Sequence, residues 1–455
     1  MKRILLFLFS ALCPLFFAYA QPMKPCGTSV LARRHTTGTH AFSRERFRKT
    51  LQQKTYLGEK RGLIILVEFP NARFQGENPH QTWSDIANLN GYAEHRAPGS
   101  VSDYFYDQSY GQFRLLFDVV GPIEAKHEYA YYGQNKDWGP PTGWFDHNVG
   151  ELVEEACVAV SGQVRFADYD WDADGKVEQV FLLYAGHGEN DYWSKDSTVI
   201  WPHMASLIED WGYKDGLLLQ DVCIDTYACT NEVNSINSLD GLGTFCHEFS
   251  HCLGLPDLYD TDKGYSVLGR YDLMDQGAYC GSGWIPVGYS SYERYACGWL
   301  TPVEVTDPLD FQGYDPDGEQ TRTSGARAVS PLIRYPDACL YRTTPEANDY
   351  YLIEYRLKES WDTYFPVAGL LAWHIDYDQQ AWDENIVNNT PEHLRVTYMA
   401  PSEIAPSGIA GILRDDNLNP SAVYDVQGHR LAALPTAPGI YILRYPDGTT
   451  KKVSR

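Results

Sequence analysis

The chain has 455 residues, 44% of them hydrophobic and 21% charged, which is the composition of folded domains and not of disordered or fibrous chains. That length holds two or three domains, each able to bury a core. With 37 Lys and Arg against 60 Asp and Glu the formal charge is −23, which argues against nucleic acid or anionic membrane as the main partner and points to cations.

Lys2 and Arg3 precede an apolar run from Ile4 to Phe17, and Ala18-Tyr19-Ala20 supplies the small residues of a cleavage site. This predicts a secretory signal peptide over 1–20, cut after Ala20. The run is too short for a membrane anchor, and Leu12 before Cys13 is too bulky for a lipoprotein signal. No later segment is apolar enough to span, so the expected product is secreted or held at the cell surface, with no integral membrane segment. Loss of the leader removes Lys2 and Arg3 and no acid, taking the charge from −23 to −25. Nine of the ten cysteines remain. In an oxidising compartment Cys223 with Cys229 and Cys280 with Cys297 are the plausible pairs, and the odd count leaves a thiol over.

Residues 21–58 are basic and lack a core pattern, as in a short pro-segment or N-terminal arm. Gly62 to Phe69 reads as a buried strand, Ser100 to Phe105 as a capped helix start, and Val180 to Tyr184 as a second buried strand. Leu152, Val153, Ala156, Cys157 and Val160 repeat at helical spacing. Strands and helices alternate to about residue 300, which predicts an α/β or α+β domain over 59–300. From 301 to 403 short alternating segments such as Tyr350–Tyr355 and Leu370–Ile375 predict a β-rich, β-sandwich-like domain. Residues 404–455 read as a linker and a small all-β tail, with paired hairpins at Ala422–Gly428 and Gly439–Leu443.

The chemistry sits in Cys246-His-Glu-Phe-Ser-His-Cys-Leu-Gly-Leu-Pro-Asp257. On a helix His247 and His251 project from one face about a turn apart and can grip one Zn2+ ion. Glu248 stands beside the first ligand as a general base for zinc-bound water. Leu242, Phe245, Phe249 and Leu253 supply the opposite, buried face. Gly254 permits the turn that ends the helix, and Pro256 stiffens the return so that Asp257 can reach the metal as third ligand. Asp260 and Asp262 stand close enough to take its place. Two histidines and one carboxylate leave a fourth position open, the arrangement of a catalytic zinc. Downstream, Tyr271-Asp-Leu-Met-Asp-Gln-Gly277 places Met274 in a tight turn similar to the Met-turn of metzincins.

A second metal is expected at Asp170-Trp-Asp172-Ala-Asp174-Gly175-Lys176-Val-Glu178. Asp170, Asp172, Asp174, Lys176 and Glu178 space oxygen ligands at alternate residues around a glycine turn, which suits a structural Ca2+. The loop departs from an EF-hand, with Phe181 at its twelfth position and a strand following, so Asp168 is a further candidate ligand.

Together these segments resemble the immune inhibitor A-type secreted zinc metallopeptidases, a metzincin-like family. The residues that carry the likeness are Leu66–Phe69, Ser100–Phe105, Ser109–Phe113, Val120–Pro122, Tyr184–Gly186, Ile200–His203, the zinc motif through Asp260, Gly298-Trp299 and Gly369–Asp376. It spans roughly 58–400. The resemblance implies a metzincin-like catalytic domain, His247 and His251 as zinc ligands, Glu248 as general base and acid, and protein or peptide substrates cut as endopeptidase substrates. Cys26 is similar to the thiol that caps zinc in some latent metallopeptidases and is a candidate zymogen thiol. The tail resembles small C-terminal sorting domains, which implies export machinery as a partner. No nucleic acid is expected, and the chain is read as a monomer. An oxyanion partner is expected among Tyr271, Tyr279 and Tyr289. The competing reading is a non-catalytic surface or adhesion protein that keeps the fold; an intact Glu248 argues against it.

Overall fold

The structure, a computed structural model, describes residues 56–138, 144–190, 196–306, 311–318, 326–342, 344, 348–400, 422–425, 430–431, 440–444 and 450–454. The chain divides into two compact units, Met1–Pro401 and Ser402–Arg455.

In the first unit β1 (Gly58–Glu68), β2 (Phe113–Glu124), β3 (Val180–His187), β4 (His203–Ser206) and β5 (Thr226–Val233) form one sheet. Their order is β2-β1-β3-β5-β4, parallel throughout except for the antiparallel edge strand β4. The centres of β1 and β3 are unbroken apolar runs because both faces of the sheet are covered. Their period of two sends Leu63, Ile65, Val67, Val180, Leu182 and Tyr184 into one core and Ile64, Leu66, Phe181 and Leu183 into another.

Among the helices that cover those faces are α1 (Pro79–Asn88), α2 (Val101–Gln108), α3 (Val149–Val160) and α4 (Gly243–Cys252). The apolar repeat from Leu152 to Val160 places α3 on the first core. Ser100 and Asp103 start α2 with a reciprocal capping box. The most constrained is α4, whose Phe245 ring stacks on Phe181 of β3 at 3.7 Å between centroids and meets Phe117 of β2 edge-on at 5.4 Å. Phe249 packs against Phe105 and Phe117. At its start, a Cβ on Gly243 would come within 1.9 Å of the Ala278 carbonyl oxygen, so only glycine fits there. At its end Gly254 takes φ 90°, the left-handed turn expected of it.

After α5 (Ser291–Ala296), a second five-stranded sheet forms from β6 (Val303–Val305), β7 (Cys339–Arg342), β8 (Asp349–Arg356), β9 (Gly369–Asp376) and β10 (Val396–Met399), in that order. A parallel pair, Phe311–Gly313 with Arg327–Val329, forms a separate two-stranded sheet, with Gly313 close against the Tyr355 ring of β8. Leu352 of β8 and Trp373 of β9 enter the same core as Phe245, so the two sheets share one apolar interior. A buried ionic group reinforces the join: Arg356 binds Glu354 at 2.6 Å and Asp362 at 2.9 Å and donates to the carbonyls of Gly288 and Tyr289. The two carboxylates accept the Gly288 and Ser291 N–H groups.

In the second unit β11 (Ala422–Asp425), β12 (Arg430–Leu431), β13 (Ile440–Arg444) and β14 (Thr450–Ser454) pair antiparallel in the order β12-β11-β13-β14. No helix among the described residues is long and apolar enough to cross a membrane.

The cysteine pairing is corrected. All eight described cysteines are free thiols. Cys223 reaches the Asp215 carbonyl, whereas Cys229 is buried against Trp201 and His203, so neighbours in sequence face different surroundings.

Because Phe245 carries the stack that seats α4, Phe245→Ala is expected to cost about 3–5 kcal/mol of stability, read by urea unfolding. A loss below about 1 kcal/mol would contradict the role given to that stack.

Candidate metal centre

The two histidines of α4 face the chain that returns after Gly254. His247 Nε2 lies 3.3 Å and His251 Nε2 3.4 Å from Asp257 Oδ1. The rings stand nearly perpendicular, at 87°. Each Nδ1 is used on the far side: His247 on the Leu273 carbonyl at 3.0 Å and His251 on the Leu255 carbonyl at 2.7 Å. A carbonyl can only accept, so both Nδ1 atoms carry a proton, which leaves Nε2 of each neutral ring as the atom able to bind a metal.

That convergence fits a tetrahedral zinc. With bonds of about 2.0–2.1 Å, zinc ligands stand roughly 3.3–3.4 Å apart, which is the distance of Asp257 Oδ1 from each histidine. His247 Nε2 and Asp257 Oδ1 are moreover buried without a hydrogen-bond partner, although within ion-pair reach of each other. Burial pulls the His247 pKa down, but the carboxylates of Asp257 and Glu248 outweigh it and push the value up to about 9. Burial likewise raises Asp257, and the two histidines overcome it, holding the carboxyl below its usual range. Glu248 is buried beside them, a carboxylate oxygen within 4.8 Å of a nitrogen of each histidine. Asp260 is committed elsewhere, its carboxylate accepting the N–H groups of Asp262 and Lys263.

Two supports lie outside the motif. The turn at Met274 is buried, and its Leu273 carbonyl is the one that orients His247. Asp272 braces that turn by accepting the Met274 N–H at 2.8 Å, and the Met274 carbonyl accepts from Leu258, next to Asp257. The other support is Asn385, whose amide binds both the Asp257 carboxylate and its N–H, each at 2.7 Å. Sequence reasoning missed Asn385, since it stands 128 residues from Asp257 and belongs to no metal-site pattern.

Of the calcium candidates, Asp170, Asp172 and Glu178 bring oxygens within 4.8 Å of one another. Asp174 instead accepts the Lys176 N–H at 2.9 Å, and Lys176 opens a short strand that pairs with Val222–Ile224. Asp168 is paired with Arg165 and Arg61. His127, Glu151 and Glu155 also approach one another, but Glu155 is already engaged by the Tyr132 hydroxyl and the Lys126 N–H. Among the tyrosines, Tyr289 is buried with its hydroxyl on Ser250, Tyr271 stacks on Tyr398, and Tyr279 is exposed. Tyr289 therefore braces α4 from below. Cys26 and the leader at 1–20 lie outside the described residues.

A helix-borne histidine pair with a glutamate beside it, and a carboxylate facing both rings, is a donor set that suits a metallohydrolase. The chain belongs to the immune inhibitor A peptidase M6 family, whose catalytic domain matches residues 53–298, just over half of the sequence. Among relatives, it is 27% identical over 226 residues to the pre-pro-metalloprotease PrtV of Vibrio cholerae, covering 43% of this chain and 23% of that one. It is 23% identical over 313 residues to immune inhibitor A of Bacillus thuringiensis subsp. alesti, covering 56% and 43%. A putative secreted metallopeptidase of Arthroderma benhamiae is 20% identical over 219 residues, covering 40% and 30%. The aligned stretch is thus less than half the length of each of these relatives.

The turn beneath His247 carries a pH signature. Asp272 and Glu293 are both buried; burial and their mutual repulsion push Asp272 well up, and burial pushes Glu293 to about 7. The folded chain therefore keeps protons that the unfolded chain has lost, and stability falls as pH rises through about 4.5 to about 7. Glu293→Gln is expected to be more stable than the unaltered chain at about pH 8, by on the order of 1–3 kcal/mol, and nearly equal at about pH 5. Urea unfolding at the two pH values checks this, and an equal difference at both would contradict it.

Proposed function

We propose that this protein is a secreted, zinc-dependent metalloendopeptidase with a metzincin-like catalytic domain, acting on extracellular proteins. The observation that carries the reading is the buried convergence of His247, His251 and Asp257 at zinc-ligand spacing, with Glu248 alongside. The antiparallel edge strand β4, the α4 motif and the turn at Met274 support the metzincin-like part. The names of the relatives, two of which include secretion or a pre-pro form, support export.

His247, His251 and Asp257 would hold the ion, and zinc, when bound, supplies Lewis acidity at the open corner of the site. Leu273 and Leu255 keep both imidazoles in the ligand tautomer through their carbonyls. Glu248 accepts the proton that water loses as its oxygen bonds to the peptide carbonyl carbon. It then returns that proton to the nitrogen as the C–N bond breaks. Glu248→Gln is expected to retain one zinc per chain while cleavage of casein falls by roughly 10²–10⁴-fold. Both are to be measured on chain lacking residues 1–20, with loss of the 21–58 arm followed in parallel. Retained cleavage in that variant would remove Glu248 as the base.

The second metal in this reading is a structural calcium held at Asp170, Asp172 and Glu178. Burial first, and then Asp172 and Asp170, push the Glu178 carboxyl up to about 7, the strain of clustered carboxylates that a cation relieves. Calcium is expected to raise the melting temperature by several degrees. An unchanged melting temperature after selective calcium removal, with zinc retained, would contradict the site. Cys26 completes the proposal as a latency thiol of the unprocessed chain and the tail beyond 404 as an export signal. Cys26→Ala is expected to give activity before the arm is cut, and continued latency would remove that role.

A further inference from the structure

We propose that Asn385 is the positioning residue of the third metal ligand, so that the metal centre is completed by a segment outside the family's catalytic domain. The inference rests on the reading of Asp257 as a ligand. Asn385 Nδ2 donates to Asp257 Oδ2 at 2.7 Å while the Asp257 N–H donates to Asn385 Oδ1 at 2.7 Å. Two bonds between the same residues close a ring, and a ring holds the carboxylate against rotation. The oxygen that Asn385 binds is Oδ2, which leaves Oδ1 facing the two histidines. Both residues are fully buried, so water does not compete for the amide.

The backbone at Asn385 shows what its side chain is for. Helix α6 (Gln379–Asp383) ends just before it. The Ile386 N–H returns to the Ala381 carbonyl at 2.9 Å and the Asn385 N–H to the Trp382 carbonyl at 3.1 Å, the paired bonds of a Schellman ending. Asn385 holds the left-handed position of that ending, at φ 54°, where glycine is the residue of least cost. The helix end does not require asparagine. Its amide is required by Asp257.

The segment around Asn385 is fastened along the same strip of chain. Thr261 donates its N–H to Asn389 Oδ1 at 2.9 Å and its hydroxyl to the Asn385 carbonyl at 2.8 Å. Asn388 donates to the Leu258 carbonyl at 2.8 Å. On the other side Trp382 of α6 donates to the Tyr292 hydroxyl at 2.6 Å, anchoring the helix to α5. Asn385 is thus held from both sides, and it transmits that order to Asp257. Orienting partners of metal ligands are typically worth about 10–100-fold in metal affinity.

The test uses the full chain with Asn385→Gly, Asn385→Asp and Asp257→Ala. Glycine suits the left-handed backbone and removes only the amide; aspartate keeps the acceptor for the Asp257 N–H but sets a carboxylate against Oδ2. Zinc affinity is read by competition with a chromophoric chelator, ligand geometry by the visible spectrum of the cobalt(II)-substituted protein, and folding by metal-free urea unfolding. Asn385→Gly is expected still to fold cooperatively although less stably, to bind zinc about 10–100-fold more weakly and to show an altered cobalt spectrum. Asn385→Asp is expected to bind at least as weakly. Unchanged zinc affinity and cobalt spectrum in Asn385→Gly, with zinc lost in Asp257→Ala, would overturn the proposal and leave Asp257 as a ligand. Unchanged affinity in both would overturn the assignment of Asp257 as well.

Discussion

Three buried polar atoms brought to one point dominate this structure. Two imidazole Nε2 atoms converge on one carboxylate oxygen at 3.3 and 3.4 Å. Taking such groups out of water is costly, and charge offsets it here: Asp257 and Glu248 raise the affinity of His247 for a proton, and the histidines keep Asp257 ionised. The arrangement persists because each of the three side chains is held from behind, by Leu273, by Leu255 and by Asn385. A divalent cation at the centre would take the place of that proton. Much of the surrounding architecture follows from the need to hold those three supports in place.

Each support comes from a different part of the chain. Leu255 belongs to the turn that Gly254 makes possible, so a local bend serves His251. Leu273 sits in the turn stapled by Asp272 and Gly277, so a second loop serves His247. Asn385 arrives from beyond β9, across the interior shared by the two sheets. Beneath them the Phe181 and Phe117 rings fix the height of α4 over the sheet. The Arg356 group keeps the second sheet against the 288–291 backbone and so keeps Asn385 within reach. Stability and metal geometry are therefore coupled through the same contacts.

The parts of this legible in the sequence were those whose physics is local. His247 and His251 stand one helical turn apart whatever the rest of the fold does, and Gly254 with Pro256 announced the return of Asp257. The apolar runs of β1 and β3 could be read because central parallel strands are buried on both faces. Ser100 marked a helix start through a capping box that spans only four residues. Asn385 was not legible, because an isolated asparagine beside Glu384 and Ile386 carries no periodic or motif signal. Nor were the thiols: spacing alone cannot show that Cys223 and Cys229 meet different neighbours. In the acidic loop, alternation of oxygens marked five residues, and the carboxylates of Asp170, Asp172 and Glu178 stand within 4.8 Å of one another, while Asp174 accepts the Lys176 N–H.

The central claim is that His247, His251 and Asp257 together hold one zinc ion. The direct measurement is the zinc content of the unaltered chain and of His247→Ala, His251→Ala and Asp257→Ala after equilibration with a competing chelator. The account predicts one zinc per unaltered chain and loss of it in all three variants. A full equivalent of zinc retained by any one of them, Asp257→Ala above all, would contradict it.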